Sequence, residues 1–124
     1  MVKTILVVDD DPGVTHTIKY GLESIDADYK VVCVDSGEKC LELLENNQIP
    51  DIILLDIMMP EMSGWETQEK IKERQSCKNI PIVFLTARTD HVAKDVGGFL
   101  ADAYVEKPCN ITDLKKTIDQ ILKT

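Results

Sequence analysis

Five side chains that suit a cation and a phosphate stand where short apolar runs end. Asp9 and Asp10 follow ILVV, Asp56 follows IILL, Thr86 follows IVFL and Lys107 follows YVE. Carboxylates crowded into a dry crevice resist ionisation unless a cation is present, and hard divalent cations such as Mg²⁺ prefer oxygen ligands. A hydroxyl and an ammonium can donate hydrogen bonds to phosphoryl oxygens. Brought together, these residues would support phosphoryl chemistry beside magnesium.

The elements that must position these residues are indicated by the apolar pattern. Five β-branched runs predict strands, with apolar residues at helical spacing between them. The predicted strands are Thr4 to Val8, Tyr29 to Val34, Ile52 to Leu55, Ile80 to Leu85 and Ala103 to Val105. Five helices are predicted, the fourth ending at Gly97 and Gly98.

Residues suited to helix caps support this division of the chain. Asp11 precedes Pro12, which favours an N-cap with proline in the first helical position. Ser36 can cap the second helix, and Asn110 or Thr112 the last one.

The alternation of strands and helices predicts an α/β fold in which a parallel sheet is buried on both faces. We expect a flavodoxin-like, doubly wound (βα)5 three-layer sandwich with strand order 2-1-3-4-5. Strands 1 and 3 are neighbours in that order, so Asp9 and Asp10 should meet Asp56 beyond the carboxyl ends. Residues 1–124 are expected to form one domain.

Composition and charge narrow the classes of partner. The chain is 44% hydrophobic and 29% charged, as in ordinary globular proteins, and its formal net charge is -8. That charge argues against direct binding to nucleic acid or to an anionic membrane. No apolar run approaches the roughly 18 residues that span a bilayer, and the first residues do not resemble a secretory signal. A cytoplasmic location is expected.

The four cysteines do not indicate a metal or redox motif. Cys33, Cys40, Cys77 and Cys109 are widely spaced, and the chain has no CxxC pair. We interpret them as reduced thiols, and their pattern leaves any role of Cys109 open.

The ordered set of residues resembles the receiver domain of two-component response regulators, the CheY-like superfamily. That family has an acidic pair after strand 1, an Asp after strand 3, Thr or Ser after strand 4 and Lys-Pro after strand 5. The matching residues here are Asp9, Asp10, Asp56, Thr86 and Lys107 with Pro108. The resemblance extends from Lys3 to about Leu122.

The resemblance implies a phosphoacceptor and not an enzyme acting on a separate substrate. Asp56 would take a phosphoryl group from a phosphohistidine, assisted by Thr86 and Lys107. It implies Mg²⁺ as cofactor, with Asp10 and Asp56 as direct ligands, the Met58 carbonyl as a third and Asp9 acting largely through a water.

Partners and output also follow from the resemblance. Thr86 and Tyr104 would act as the switch that changes a face made of the fourth helix, fifth strand and fifth helix. The expected partners are a sensor histidine kinase or phosphotransfer protein, an effector domain or protein that the sequence does not identify, and, as one option, a second phosphorylated copy.

Three alternative functions share either the strand-end aspartate with magnesium or the architecture. A haloacid-dehalogenase-type phosphatase needs an acidic residue two positions after the strand Asp, where this chain has Met58. A flavodoxin-like mononucleotide binder needs a glycine-rich loop after strand 1, where Asp9, Asp10 and Asp11 stand. The third alternative is a receiver that only mediates protein contacts.

The lifetime of the phosphoryl group is a first prediction. Met58 and Arg88 should flank the path of an attacking water, and neither is a base or amide that would orient it. We expect the phosphoryl group to persist for minutes or longer, measured as decay of the isolated phosphoprotein in magnesium buffer. A half-life of a few seconds would contradict this expectation.

Overall fold

The computed structural model describes residues 2–86, 103–107 and 110–123 of the chain. The predicted fourth helix, Arg88, Pro108 and Cys109 lie outside these residues. Five strands are described: β1 (Lys3–Val8), β2 (Tyr29–Val34), β3 (Ile52–Asp56), β4 (Ile82–Thr86) and β5 (Ala103–Glu106). The described helices are α1 (Pro12–Ile25), α2 (Gly37–Glu45), α3 (Gly64–Glu73) and the C-terminal helix (Ile111–Leu122).

The five strands form one parallel sheet in the order β2-β1-β3-β4-β5. This confirms the predicted α/β, flavodoxin-like fold class. Strand β3 is central and every one of its residues is buried. Its residues are apolar without interruption up to Asp56, and do not alternate with polar ones, because helices cover both faces of the sheet.

Each face of the sheet packs against its own layer of helices. On one face, Leu54 belongs to a core cluster with Ile18 and Leu22 of α1 and Leu114 and Ile118 of the C-terminal helix. On the other face, the neighbouring Leu55 packs in a cluster that takes its helical members from the other two described helices, Cys40 and Leu44 of α2 and Ile71 of α3. Successive side chains of a strand point to opposite faces, so one apolar run serves both cores.

The predicted helix caps are present. Asp11 accepts a hydrogen bond from the Gly13 amide at 2.9 Å, and Ser36 accepts one from the Lys39 amide at 3.1 Å. For the last helix, Asn110 and not Thr112 is the N-cap, because its side chain accepts from the Asp113 amide at 3.2 Å. These caps satisfy amides that the first helical turn leaves unpaired.

Three predicted boundaries of β3 and β4 were wrong, and two of them, at the carboxyl ends, concern the site. Strand β4 begins at Ile82 and not at Ile80, because the Ile80 amide turns back to the Cys77 carbonyl and Pro81 has no amide hydrogen. Strands β3 and β4 both extend one residue further than predicted. Asp56 and Thr86 are therefore the last residues of their strands, held in the sheet itself.

Candidate functional site

The structure brings three carboxylates together at the carboxyl ends of β1 and β3. Each of Asp9, Asp10 and Asp56 offers an oxygen within 4.8 Å of the others. Pairing of Val8 with Leu55 sets the two strands level, so the residues that follow are neighbours. Asp9 and Asp56 are only 1% and 4% exposed, whereas Asp10 is exposed. Two of the three carboxylates are thus withdrawn from water beside one another.

Lys107 places its ammonium between the two buried carboxylates. Its Nζ lies 2.7 Å from Asp9 Oδ2 and 3.2 Å from Asp56 Oδ1. The Lys107 amide donates to the Thr86 carbonyl at 2.7 Å, which fixes the residue at the end of β5 beside β4. Removing either member of such a buried pair would leave an uncompensated charge, which is costly.

Charge in this cluster is only partly balanced. When all four groups are ionised, three carboxylates face one ammonium, which leaves two negative charges. The pKa of Asp56 is raised to about 6, because burial and the charge of Asp9 raise it by more than Lys107 lowers it. Burial lowers the pKa of Lys107, but its hydrogen bonds and charge interactions with Asp9 and Asp56 outweigh burial and raise it. The donor set fits a divalent cation because all three carboxylates are hard oxygen ligands.

Asp9 has partners at both of its oxygens. Its Oδ1 accepts a hydrogen bond from the Asp11 amide at 2.9 Å, while its Oδ2 meets Lys107. The bond to Asp11 helps the chain turn from β1 into α1. Both oxygens of this carboxylate are therefore held in place by the chain itself.

The loop after β3 carries Met58, the residue expected to offer a backbone carbonyl. The Met58 side chain is 79% exposed. The preceding Ile57 is held on both sides, because its amide donates to the Leu85 carbonyl at 3.3 Å and its carbonyl accepts from the Gly64 amide at 2.8 Å. Glu61, in the same loop, has a left-handed φ of 66°, which is uncommon for a residue other than glycine.

Thr86 is the last residue of β4 and Tyr104 lies in β5, the two strands on the side of β3 away from β1. Asp56 pairs with Leu85, so the next residue, Thr86, ends β4 beside the acidic cluster. Tyr104 pairs with Phe84, and their rings stack at a centroid separation of 5.7 Å. The Tyr104 hydroxyl is buried and has no hydrogen-bond partner within the described part of the chain.

Two features of the site were not predicted from the sequence. The ring of Phe84 also contacts Trp65 at 4.7 Å, so three aromatic rings connect the start of α3 with β5. The second feature is Gly64, which lies against the backbone of Asp56. In the sequence, Gly64 is only a glycine at the end of a loop that precedes a predicted helix.

Comparisons with known proteins identify the family. The family model of the response regulator receiver domain matches residues 5–119, so the chain belongs to this family. In Vibrio cholerae, the "Probable cyclic di-GMP phosphodiesterase" is 39% identical over 116 residues, covering 93% of this chain and 25% of that protein. The alkaline phosphatase synthesis transcriptional regulatory protein PhoP of Bacillus subtilis is 33% identical, covering 99% of this chain and 50% of that protein.

A solved structure agrees in fold over nearly the whole chain. Chemotaxis protein CheY4 of Vibrio cholerae has a TM-score of 0.89 at 28% identity, covering 98% of this chain and 100% of that one. The chain spans half or less of the length of the two curated relatives above. None of the helices in the described ranges is long and apolar enough to cross a membrane.

The raised pKa of Asp56 predicts how stability depends on pH in metal-free protein. The pKa of an Asp is about 4 in an unfolded chain, and that of Asp56 is about 6 in the native state. Between these two pH values the native state therefore binds more protons than the unfolded state. Ionisation of Asp56 therefore lowers the free energy of unfolding as pH rises through this window. The free energy of unfolding of Asp56→Asn should therefore exceed that of wild type by almost nothing at pH 4 and by about 1–3 kcal/mol at pH 7.

Urea denaturation in EDTA between pH 4 and 7 measures this difference. Glu23→Gln is a control of opposite sign, because the backbone amide of Val31 lowers the pKa of Glu23 and its ionisation stabilises the native state. The stability of that variant relative to wild type should fall as pH rises. An Asp56→Asn advantage that stays constant or shrinks towards pH 7 would contradict the burial of an ionised Asp56.

Proposed function

We propose that this chain is a phosphoacceptor whose Asp56 takes a phosphoryl group from a phosphohistidine of a sensor histidine kinase or phosphotransfer protein. The observation that carries the proposal is the burial of Asp56 beside Asp9, with Lys107 at 3.2 Å and an exposed Asp10 completing the cluster. Burial disfavours the charged form of a carboxylate, and ionisable groups perturbed in this way are concentrated at functional sites.

The chemical step is an in-line displacement at phosphorus. A carboxylate oxygen of Asp56 forms the new P–O bond while the P–N bond to the donor histidine breaks, and the electron pair leaves with the imidazole. Little covalent chemistry is required of other residues, so the protein contributes position and charge. Asp56 must be ionised to attack, and with a pKa of about 6 it is ionised in most molecules at neutral pH.

Magnesium is the proposed cofactor. The residues that would hold it are Asp10 and Asp56 directly, Met58 through its backbone carbonyl, and Asp9 largely through a water. Asp9 already accepts from the Asp11 amide and from Lys107, which suits a residue that reaches the cation through a water. When bound, the cation would neutralise charge on the carboxylates and on the phosphoryl oxygens during transfer.

Lys107 and Thr86 would stabilise the product. Transfer places a phosphoryl group on Asp56, the group that Lys107 already contacts, so the ammonium can move from the carboxylate to a phosphoryl oxygen without crossing the site. The Thr86 hydroxyl, at the end of the neighbouring strand, would donate to another phosphoryl oxygen. Both residues act on the same chain that carries the phosphate, so the protein assists its own phosphorylation and dephosphorylation.

The proposed switch joins Thr86 to Tyr104. Movement of the Thr86 hydroxyl towards the phosphate would alter the space beside β5, where the buried Tyr104 hydroxyl has no partner among the described residues. Tyr104 stacks on Phe84, which lies two residues before Thr86 in β4, so a change at the end of β4 can reach this ring. The signal would reach a face formed by β5, the C-terminal helix and the predicted fourth helix.

Output and context are also proposals. We assign residues 1–124 to a single receiver domain that works in the cytoplasm, where its kinase would act. The two curated relatives combine a similar region with different activities, a phosphodiesterase and a transcriptional regulator, so the effector is not set by this domain. Direct contact with nucleic acid is not expected at a net charge of -8, and a phosphorylation-dependent dimer is one arrangement to examine.

Phosphorylation by a small donor tests the proposal. Incubation with acetyl phosphate and Mg²⁺, followed by intact-protein mass spectrometry, should show the gain of one phosphoryl group. The gain should disappear in EDTA and in Asp56→Asn. Asp51→Asn is the matched control, because Asp51 precedes the opposite end of β3, where it accepts a hydrogen bond from the Thr4 amide that Asn can also accept.

Two results would contradict the proposal. Wild-type protein that gains no phosphoryl group from acetyl phosphate or phosphoramidate would indicate a receiver that only mediates protein contacts. A gain that persists in Asp56→Asn would place the phosphate on another residue.

A further inference from the structure

The first residue of α3 lies against the backbone of the proposed phosphorylation site. A Cβ atom added to Gly64 would stand 2.3 Å from the Asp56 carbonyl oxygen and 2.8 Å from Ile57 Cα. Both distances are far below van der Waals contact, and both neighbours are backbone atoms that cannot rotate away. The absence of a side chain at position 64 is therefore what allows α3 to begin so close to Asp56.

Backbone conformation does not explain this glycine. None of the glycines in the described residues has a positive φ, so Gly64 adopts a conformation open to any L-residue. Helix propensity alone would favour alanine at this position. The close approach to Asp56 is the remaining physical reason for a glycine.

The contact closes the loop that carries Met58. The Gly64 amide donates to the Ile57 carbonyl at 2.8 Å, which ties the start of α3 to the residue directly before Met58. Ser63 and Glu66 form a capping box that holds this first turn in place. The opposite side of the loop is fixed by Met62, whose sulfur lies against Gly37 at the start of α2.

We infer that Gly64 is a positioning residue of the magnesium site, which sets the Met58 carbonyl relative to the Asp56 carboxylate through the contact between α3 and the Asp56 backbone. This inference rests on the proposed function, because it assigns Met58 a role in holding the cation. Gly64 itself touches neither the cation nor the phosphoryl group.

Gly64→Ala should weaken magnesium binding in particular. The added methyl group must displace either α3 or the Asp56 carbonyl, and both movements change the position of Met58. The dissociation constant for Mg²⁺, measured by isothermal titration calorimetry, and the Mg²⁺ concentration that gives half the maximal rate of phosphorylation by acetyl phosphate should both rise about tenfold or more. The rate at saturating Mg²⁺ should fall less, since Asp56, Thr86 and Lys107 all remain.

Gly21→Ala is the matched control. Its added Cβ would stand 2.7 Å from the Ile111 side chain, between α1 and the C-terminal helix on the other face of the sheet. It therefore introduces a clash away from the proposed site, and this clash is the milder one because the Ile111 side chain can rotate whereas the Asp56 backbone cannot. Both variants are compared by circular dichroism, urea denaturation and magnesium dependence of the rate, in sucrose so that a weakened native state stays populated.

The outcomes separate this inference from the proposed function. A tenfold rise in half-saturating Mg²⁺ for Gly64→Ala, with Gly21→Ala like wild type at equal folded fraction, supports the positioning role. Unchanged magnesium dependence in folded Gly64→Ala, or an equal rise in Gly21→Ala, overturns it and leaves the proposed function intact. Phosphorylation of wild type that needs no Mg²⁺ overturns the magnesium site and the inference together.

Discussion

The structure around the candidate site depends on one interaction, the ammonium of Lys107 held between the buried carboxylates of Asp9 and Asp56. Without it, two negative charges would face one another in an apolar surrounding, an arrangement that proteins avoid by protonation or by unfolding. Lys107 compensates for part of this charge. The remaining imbalance is what makes the cluster suited to a divalent cation and, after transfer, to a phosphoryl group that takes over the contact with the lysine.

The parallel sheet holds the members of this charged cluster at one edge. Parallel strands place their carboxyl ends on one edge, and helices cover both faces of the sheet behind that edge. Asp56 is the last residue of the central strand, so its backbone is hydrogen-bonded within the sheet while its side chain stands at the edge. The loop between β3 and α3 then brings the chain back to the end of β3, where Gly64, the first residue of α3, lies against the backbone of Asp56.

Much of this arrangement could be predicted from the sequence because it follows from patterns of local origin. Apolar runs located all five strands, the strand order followed from the rules for doubly wound sheets, and Asp11 and Ser36 were recognisable as caps. Convergence of Asp9, Asp10 and Asp56 then followed from topology. Family resemblance added the roles of these residues, which remain proposals.

The parts that could not be predicted depend on one local turn and on contacts between segments that are distant in the sequence. The start of β4 at Ile82 depends on a turn that ends with the Ile80 amide on Cys77. Stacking of Phe84 between Trp65 and Tyr104 joins three elements, and no spacing in the sequence encodes it. The need for glycine at position 64 arises from the backbone of Asp56 and Ile57, and a glycine near a helix start has many ordinary explanations.

The central claim is that a buried Asp56, only partly neutralised by Lys107, holds a divalent cation. The most direct measurement is the titration of the Asp56 carboxyl carbon by nuclear magnetic resonance, with and without Mg²⁺. The account predicts a midpoint at about pH 6 in EDTA and a clear decrease when Mg²⁺ is added, because a bound cation favours the ionised carboxylate. A midpoint near the ordinary value of about 4 that Mg²⁺ does not change would contradict it.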